Sequence, residues 1–240
     1  MHKLRLGITV VSMLALVSQS IFAATLVLEE GVSGYTGTAD ATLYENRPSN
    51  SNGAGAHFFA GVTKDASPRR ALLRFDLAAI PAGSTVSSAS LILTVDQSRP
   101  STDLYTLHAA LAAWNEGSVD AGEPGGLGAA AATGDATWSH RQFGFTTWSS
   151  LGGDYGTTSA QTFFSTAGTS STFSSIAMVA TVQNWVSNPL SNFGWIILGD
   201  ESTAWNAHRF VSSEGTIGQR PRLIVIYTPP ARIRDWDCYD

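Results

Sequence analysis

Alternation of character from one residue to the next is the strongest constraint in this chain. Between Arg70 and Leu77, Ala71, Leu73, Phe75 and Leu77 fall on one side and Arg70, Leu72, Arg74 and Asp76 on the other. A period of two is the signature of extended chain, because successive side chains of a strand point to opposite faces. The pattern stops at Ile80-Pro81-Ala82-Gly83, a turn sequence, and resumes at Ser88–Val95 with Ala89, Leu91, Leu93 and Val95 aligned. Tyr105–Ala109, Phe193–Leu198 and Arg222–Tyr227 read as further strands, with weaker ones at Ala41–Tyr44, His57–Val62, Phe173–Val179 and Arg209–Ser213. Arg222–Tyr227 is nearly continuous in apolar residues, as expected of a central strand covered on both sides. Charged residues make up only 14% of the chain, and its 23 glycines punctuate the strands. These features predict two pleated layers closing around Leu73, Phe75, Leu91, Leu93, Trp195 and Val225.

Two segments depart from the strand rhythm. Thr181–Asn188 sets Val182, Trp185 and Val186 at offsets of three and four, which predicts one short helix ended by Asn188-Pro189. Gly122–Gly134 is almost all Gly and Ala and reads as a flexible loop. It lies in a loosened region, Trp114–Phe163, that holds Trp138, Trp148 and Tyr155. A long insertion of this kind is a cap, a subdomain or a binding loop.

The ends read differently from the middle. Residues 1–23 carry Lys3 and Arg5, an apolar run from Gly7 to Val17 and a small-residue exit at Ala23-Ala24. That is the form of a bacterial secretion signal, with an apolar run shorter than the roughly 20 residues that cross a bilayer. The expected division is therefore a signal at 1–23, a sandwich at 24–228 and a tail at 229–240 after Pro229-Pro230. No second long apolar run offers a transmembrane anchor. Cleavage would leave 12 basic residues against 19 acidic ones, a net charge near −7, with Lys64 the last lysine. Such a balance argues against nucleic acid and against a polybasic membrane contact. Cys238 is the single cysteine, so the fold holds without an internal disulfide; the thiol is either free or paired between chains.

Several stretches, in order, resemble the DNRLRE-domain family, which is similar to carbohydrate-binding modules of polysaccharide-degrading enzymes. They are Arg69–Leu77 with Ile80–Val86 and Ala89-Ser90-Leu91, then Trp114-Asn115-Glu116-Gly117 and Ala136-Thr137-Trp138. Val182–Asn188 with Gly194-Trp195, Phe210–Glu214 and Arg220–Leu223 follow, and Asp40–Glu45 with Asn50, Asn52 and Gly53 resembles the opening segment. Tyr44 stands where the family has an arginine. The resemblance implies an all-β, jelly-roll-like antiparallel sandwich, exported and held at or beyond the cell surface, with carbohydrate binding in some relatives.

Catalytic motifs are missing from the sequence. His57, His108, His140 and His208 form no H-E-x-x-H or H-x-H pattern, and there is no G-x-S-x-G or phosphate-binding loop. Trp138, Trp148, Tyr155 and Trp205 lie in loop-like or Gly-rich surroundings, so each is either a sugar platform or core; Trp114, Trp185 and Trp195 read as core. Arg70 and Arg74 share one strand face and could fork onto a uronate carboxylate, or pair across strands with Asp76 or Glu214. The expected ligand-binding set is Arg70, Arg74, Trp138, Trp148, Tyr155 and Trp205. Asp40, Glu45, Asp200 and Glu201 are the oxygen donors for calcium, the one ion in view, set against solvated turn acids. The function expected is a secreted, non-catalytic module that binds polysaccharide, including acidic polysaccharide, or extracellular matrix. The alternatives are a structural or adhesive envelope protein and a polysaccharide lyase with a His or Tyr base.

Overall fold

The structure, a computed structural model, describes residues 22–231. All but two residues of the expected secretion signal lie outside that range, as does the tail beyond residue 231 with Cys238. Fifteen strands run in the order Ala24–Glu29 (β1), Thr38–Tyr44 (β2), Asn50–Ser51 (β3), His57–Val62 (β4), Pro68–Phe75 (β5), Thr85–Gln97 (β6), Asp103–Ala110 (β7), Ala129–Ala130 (β8), His140–Gln142 (β9), Thr146–Thr147 (β10), Tyr155–Phe164 (β11), Ser170–Ser174 (β12), Trp195–Gly199 (β13), His208–Val211 (β14) and Arg222–Thr228 (β15). Among the described residues, one α-helix, Ile176–Ser187 (α1), lies between β12 and β13.

Every strand pairing among the described residues is antiparallel. Eleven strands form one curled sheet. Its first layer is β1–β15–β6 with β12 on the other edge of β6; its second is β2–β5–β13–β7–β11. The far end of β6 pairs with β14, which pairs with β4, which turns into β5, so the sheet passes from one layer into the other. This is the expected all-β sandwich. Leu73, Phe75, Leu91, Leu93, Trp195 and Val225, the six residues expected to close it, are all buried in one cluster between the layers.

The helix begins five residues earlier than its apolar spacing predicts. Ser175 caps it, its hydroxyl accepting the Met178 N–H at 2.9 Å. That cap splits the expected strand Phe173–Val179, leaving Phe173 on β12 and giving Val179 to the helix. Met178, Val182, Trp185 and Val186 pack the helix onto the main core, and Trp185 meets Trp195 edge-on at 4.6 Å.

The second layer is covered on its outer face as well. Ala39, Ala41 and Leu43 of β2, Leu72 of β5 and Ile196 and Leu198 of β13 join Trp114, Ala136, Trp138 and Trp148 in a second core. The segment 111–154 is thus a cap that folds back over the sheet. Its Gly/Ala-rich stretch is tied down rather than loose: β8 pairs with β3, the Asn50 amide donates to the Leu127 carbonyl at 2.8 Å, and the Tyr44 hydroxyl donates to the Gly125 carbonyl at 2.9 Å.

Candidate functional site

β5 sends Arg70, Leu72 and Arg74 to the capped face, as the alternation requires. Leu72 enters the second core, and the two arginines flank it. The Arg70 guanidinium lies 4.8 Å over the Trp138 ring and 5.3 Å from that of Tyr155. It also makes two hydrogen bonds to the Glu201 carboxylate, at 2.7 and 2.8 Å, and a third to the Gly152 carbonyl at 2.9 Å. Arg74 lies 5.3 Å over Trp114. The folding chain therefore brings Arg70, Trp138 and Tyr155 together, with Glu201 as the ion-pair partner in place of Asp76 or Glu214. Trp138 and Trp148 are buried, and the Trp148 indole donates to the Thr137 carbonyl at 2.8 Å. The cluster has the residue types of a sugar site but works as a fastener between cap and sheet, with its donors already satisfied.

Trp205 is placed differently. Of the six tryptophans among the described residues, the other five are buried and Trp205 is 59% exposed. It sits at φ +65°, a left-handed backbone conformation that a bulky residue rarely adopts. Strain of this kind costs roughly 1–3 kcal/mol and persists only where neighbours enforce it. Here they do: the Trp205 N–H donates to Thr63, and the Asn206 and Ala207 N–H groups both donate to Val62. The Asn206 side chain accepts the Val62 N–H at 2.6 Å and donates to the Asp200 carbonyl at 2.6 Å. An open groove of about 360 Å³ lies beside the ring, lined by Phe59, Lys64, Arg69, Arg99, Trp205 and Arg209 among others.

The cations of this groove are not equivalent. Arg69 is buried and held by Ser67, the Asn46 side chain and two carbonyls. Arg209 is paired with Asp96 and Glu123. Arg99 reaches 5.6 Å from the centre of the Trp205 ring and bonds only Ser101, and Lys64 has no ion-pair partner among the described residues. Phe59, Lys64 and Arg99 escape a reading of the sequence because they lie on three separate segments with no shared pattern.

The expected calcium donors are not brought together. Glu45 accepts from the Ser67 hydroxyl, Asp200 closes its own turn with Ser202 and Thr203, and Glu201 holds Arg70. Asp40 instead meets Glu116 of the cap and Glu214, which follows β14; one oxygen from each lies within 4.8 Å of the others. Burial pushes the Asp40 carboxyl well above the usual range, and the neighbouring Glu214 and Glu116 charges add to it. Glu116 is pushed up to about 7, by burial first, against the opposing effect of the Asp40 N–H that it accepts. Glu214 is raised for the same first reason.

A Tyr–His pair also touches the groove. His208 lines it, but the ring is buried, with Nδ1 2.6 Å from the Tyr105 hydroxyl and Nε2 2.9 Å from the Ser165 carbonyl. No family model and no curated protein matches this chain.

Proposed function

We propose that this chain is an exported, non-catalytic module of the DNRLRE type that binds polysaccharide, acidic polysaccharide in particular, in the groove beside Trp205. Exposure of Trp205 in a strained and firmly held conformation carries the reading. A large aromatic face turned to solvent at a cost in backbone energy is a feature of binding sites. Sugar rings stack their C–H faces on such a surface. Arg99 and Lys64, without carboxylate partners among the described residues, supply the charge that a uronate or sulfate would meet.

Electrophoresis through gels containing alginate or polygalacturonate tests this. The wild-type chain should be retarded relative to a gel with no polysaccharide, and Trp205→Ala should run unretarded while keeping its far-ultraviolet circular dichroism and melting temperature. Equal retardation of wild type and Trp205→Ala would remove the groove from consideration, and no retardation of the wild type by any acidic polysaccharide would remove the function. The lyase reading has its chemistry in Tyr105 and His208, yet every polar atom of that pair is bonded internally. Absence of unsaturated product during the same incubations is the expected result.

A further inference from the structure

Strand β2 breaks the rule that its own sandwich follows. Ala39, Ala41 and Leu43 face the second core, while Thr38, Asp40 and Thr42 put polar atoms on the other side. Asp40 is fully buried. Its Oδ2 accepts the Ser213 N–H at 2.7 Å, and its Oδ1 has no hydrogen-bond partner among the described residues. A buried carboxylate oxygen without a partner is costly, and two more carboxylates beside it raise that cost. None of the three makes an ion pair among the described residues. Arg74 acts on Glu116 only through its field, and Arg220 is occupied by the Gly215 and Glu30 carbonyls.

We propose that Asp40, Glu116 and Glu214 bind a calcium ion that locks the cap onto the sandwich. Calcium takes oxygen ligands at 2.3–2.6 Å, so two oxygens on opposite sides of one ion stand about 5 Å apart. Three carboxylate oxygens within 4.8 Å of one another can therefore share a single ion. The site grades outward from buried Asp40 through half-buried Glu116 to exposed Glu214, so one of its three carboxylates stands at the surface. Its anchors are firm. The Glu116 carboxylate accepts the Asp40 N–H at 2.7 Å, and the Ser213 hydroxyl donates to Glu214 at 2.9 Å. Gly53 fixes the turn that presents Glu116, since a Cβ there would lie 1.9 Å from the Glu116 carbonyl oxygen. The donors come from β2, the cap and the segment after β14, so one ion would join three regions distant in the chain. This site is independent of the groove beside Trp205.

Titration calorimetry of the chelator-treated, desalted full chain with calcium chloride tests the assignment. One ion per chain should bind, with a Kd within about 10⁻⁶–10⁻³ M, and the melting temperature should rise with calcium. Glu214→Gln, at the exposed end, should weaken binding at least tenfold without harming the fold. Asp40→Asn should abolish the calcium-dependent rise in melting temperature while the calcium-free protein melts no lower than wild type. Absence of both heat and a melting shift in the wild type would overturn the proposal. Calcium binding left unchanged in both variants would overturn it equally.

Discussion

The fastener around Arg70 and the groove beside Trp205 use the same chemistry with opposite outcomes. Each sets an arginine against an aromatic ring, at 4.8 Å for Arg70 and Trp138 and at 5.6 Å for Arg99 and Trp205. In the first, the ring is buried and Glu201 neutralises the cation. In the second, the ring is exposed and the cation has no acid partner among the described residues. An arginine–aromatic pair is thus not by itself a binding site. What separates a structural contact from a free surface is whether the donors are spent and the ring is covered.

That contrast can be broken at either end. Trp138→Ala should cost about 3–5 kcal/mol of stability, as for a large aromatic removed from a core, read as a lowered urea midpoint. Trp205→Ala should change stability by no more than about 0.5 kcal/mol, since its ring is largely exposed. The same variant should lose at least about tenfold in affinity for acidic polysaccharide, a drop typical of an aromatic anchor. Glu201→Gln should destabilise by about 1–2 kcal/mol, because Arg70 is then left largely buried without its counter-charge. A Glu201→Gln protein as stable as wild type would show that the Arg70–Glu201 pair adds no net stability to the fastener.

A further effect concerns pH and belongs to the carboxylate cluster. Glu116 titrates near 7 when folded and near its ordinary lower value when unfolded. The folded chain therefore holds an extra proton between those limits, so calcium-free stability is greatest at the acid end of the window and falls as pH rises through about 7. Asp40 and Glu214 are raised in the same direction, with Glu30, Arg74 and Arg220 as the other charges acting on the group. Discounted for partial exposure, the Glu116 contribution is about 1 kcal/mol, or roughly 2–4 °C in melting temperature between pH 5 and pH 7.5. Calorimetric scans across that range should show the calcium-free protein melting lower at the alkaline end.

Much of the scaffold is written in local pattern. The alternation Ala71–Leu77 defines both faces of β5, and the spacing Val182, Trp185, Val186 defines the buried stripe of the helix. The start of that helix was less legible. Ser175 as a cap competes with the strand-like run around Phe173, and only the hydroxyl contact to Met178 decides between them. The tryptophans were less legible still. Trp138, Trp148 and Trp205 all lie in Gly-rich or loop-like surroundings, and nothing in those surroundings says that the first two are covered and the third is not.

Taken alone, the amino-acid order settles the extended character of the chain, the two faces of its main strands and the six side chains that close the sandwich, because each depends on residues one to eight positions apart. Tertiary structure decides which aromatics remain wet, which arginines find acids and which carboxylates meet. Those outcomes depend on contacts such as Asp40 to Glu116, 76 residues apart, and Asp40 to Ser213, 173 residues apart. Pairings of that length are fixed by how the strands stack and how the cap folds back, and no local periodicity encodes them.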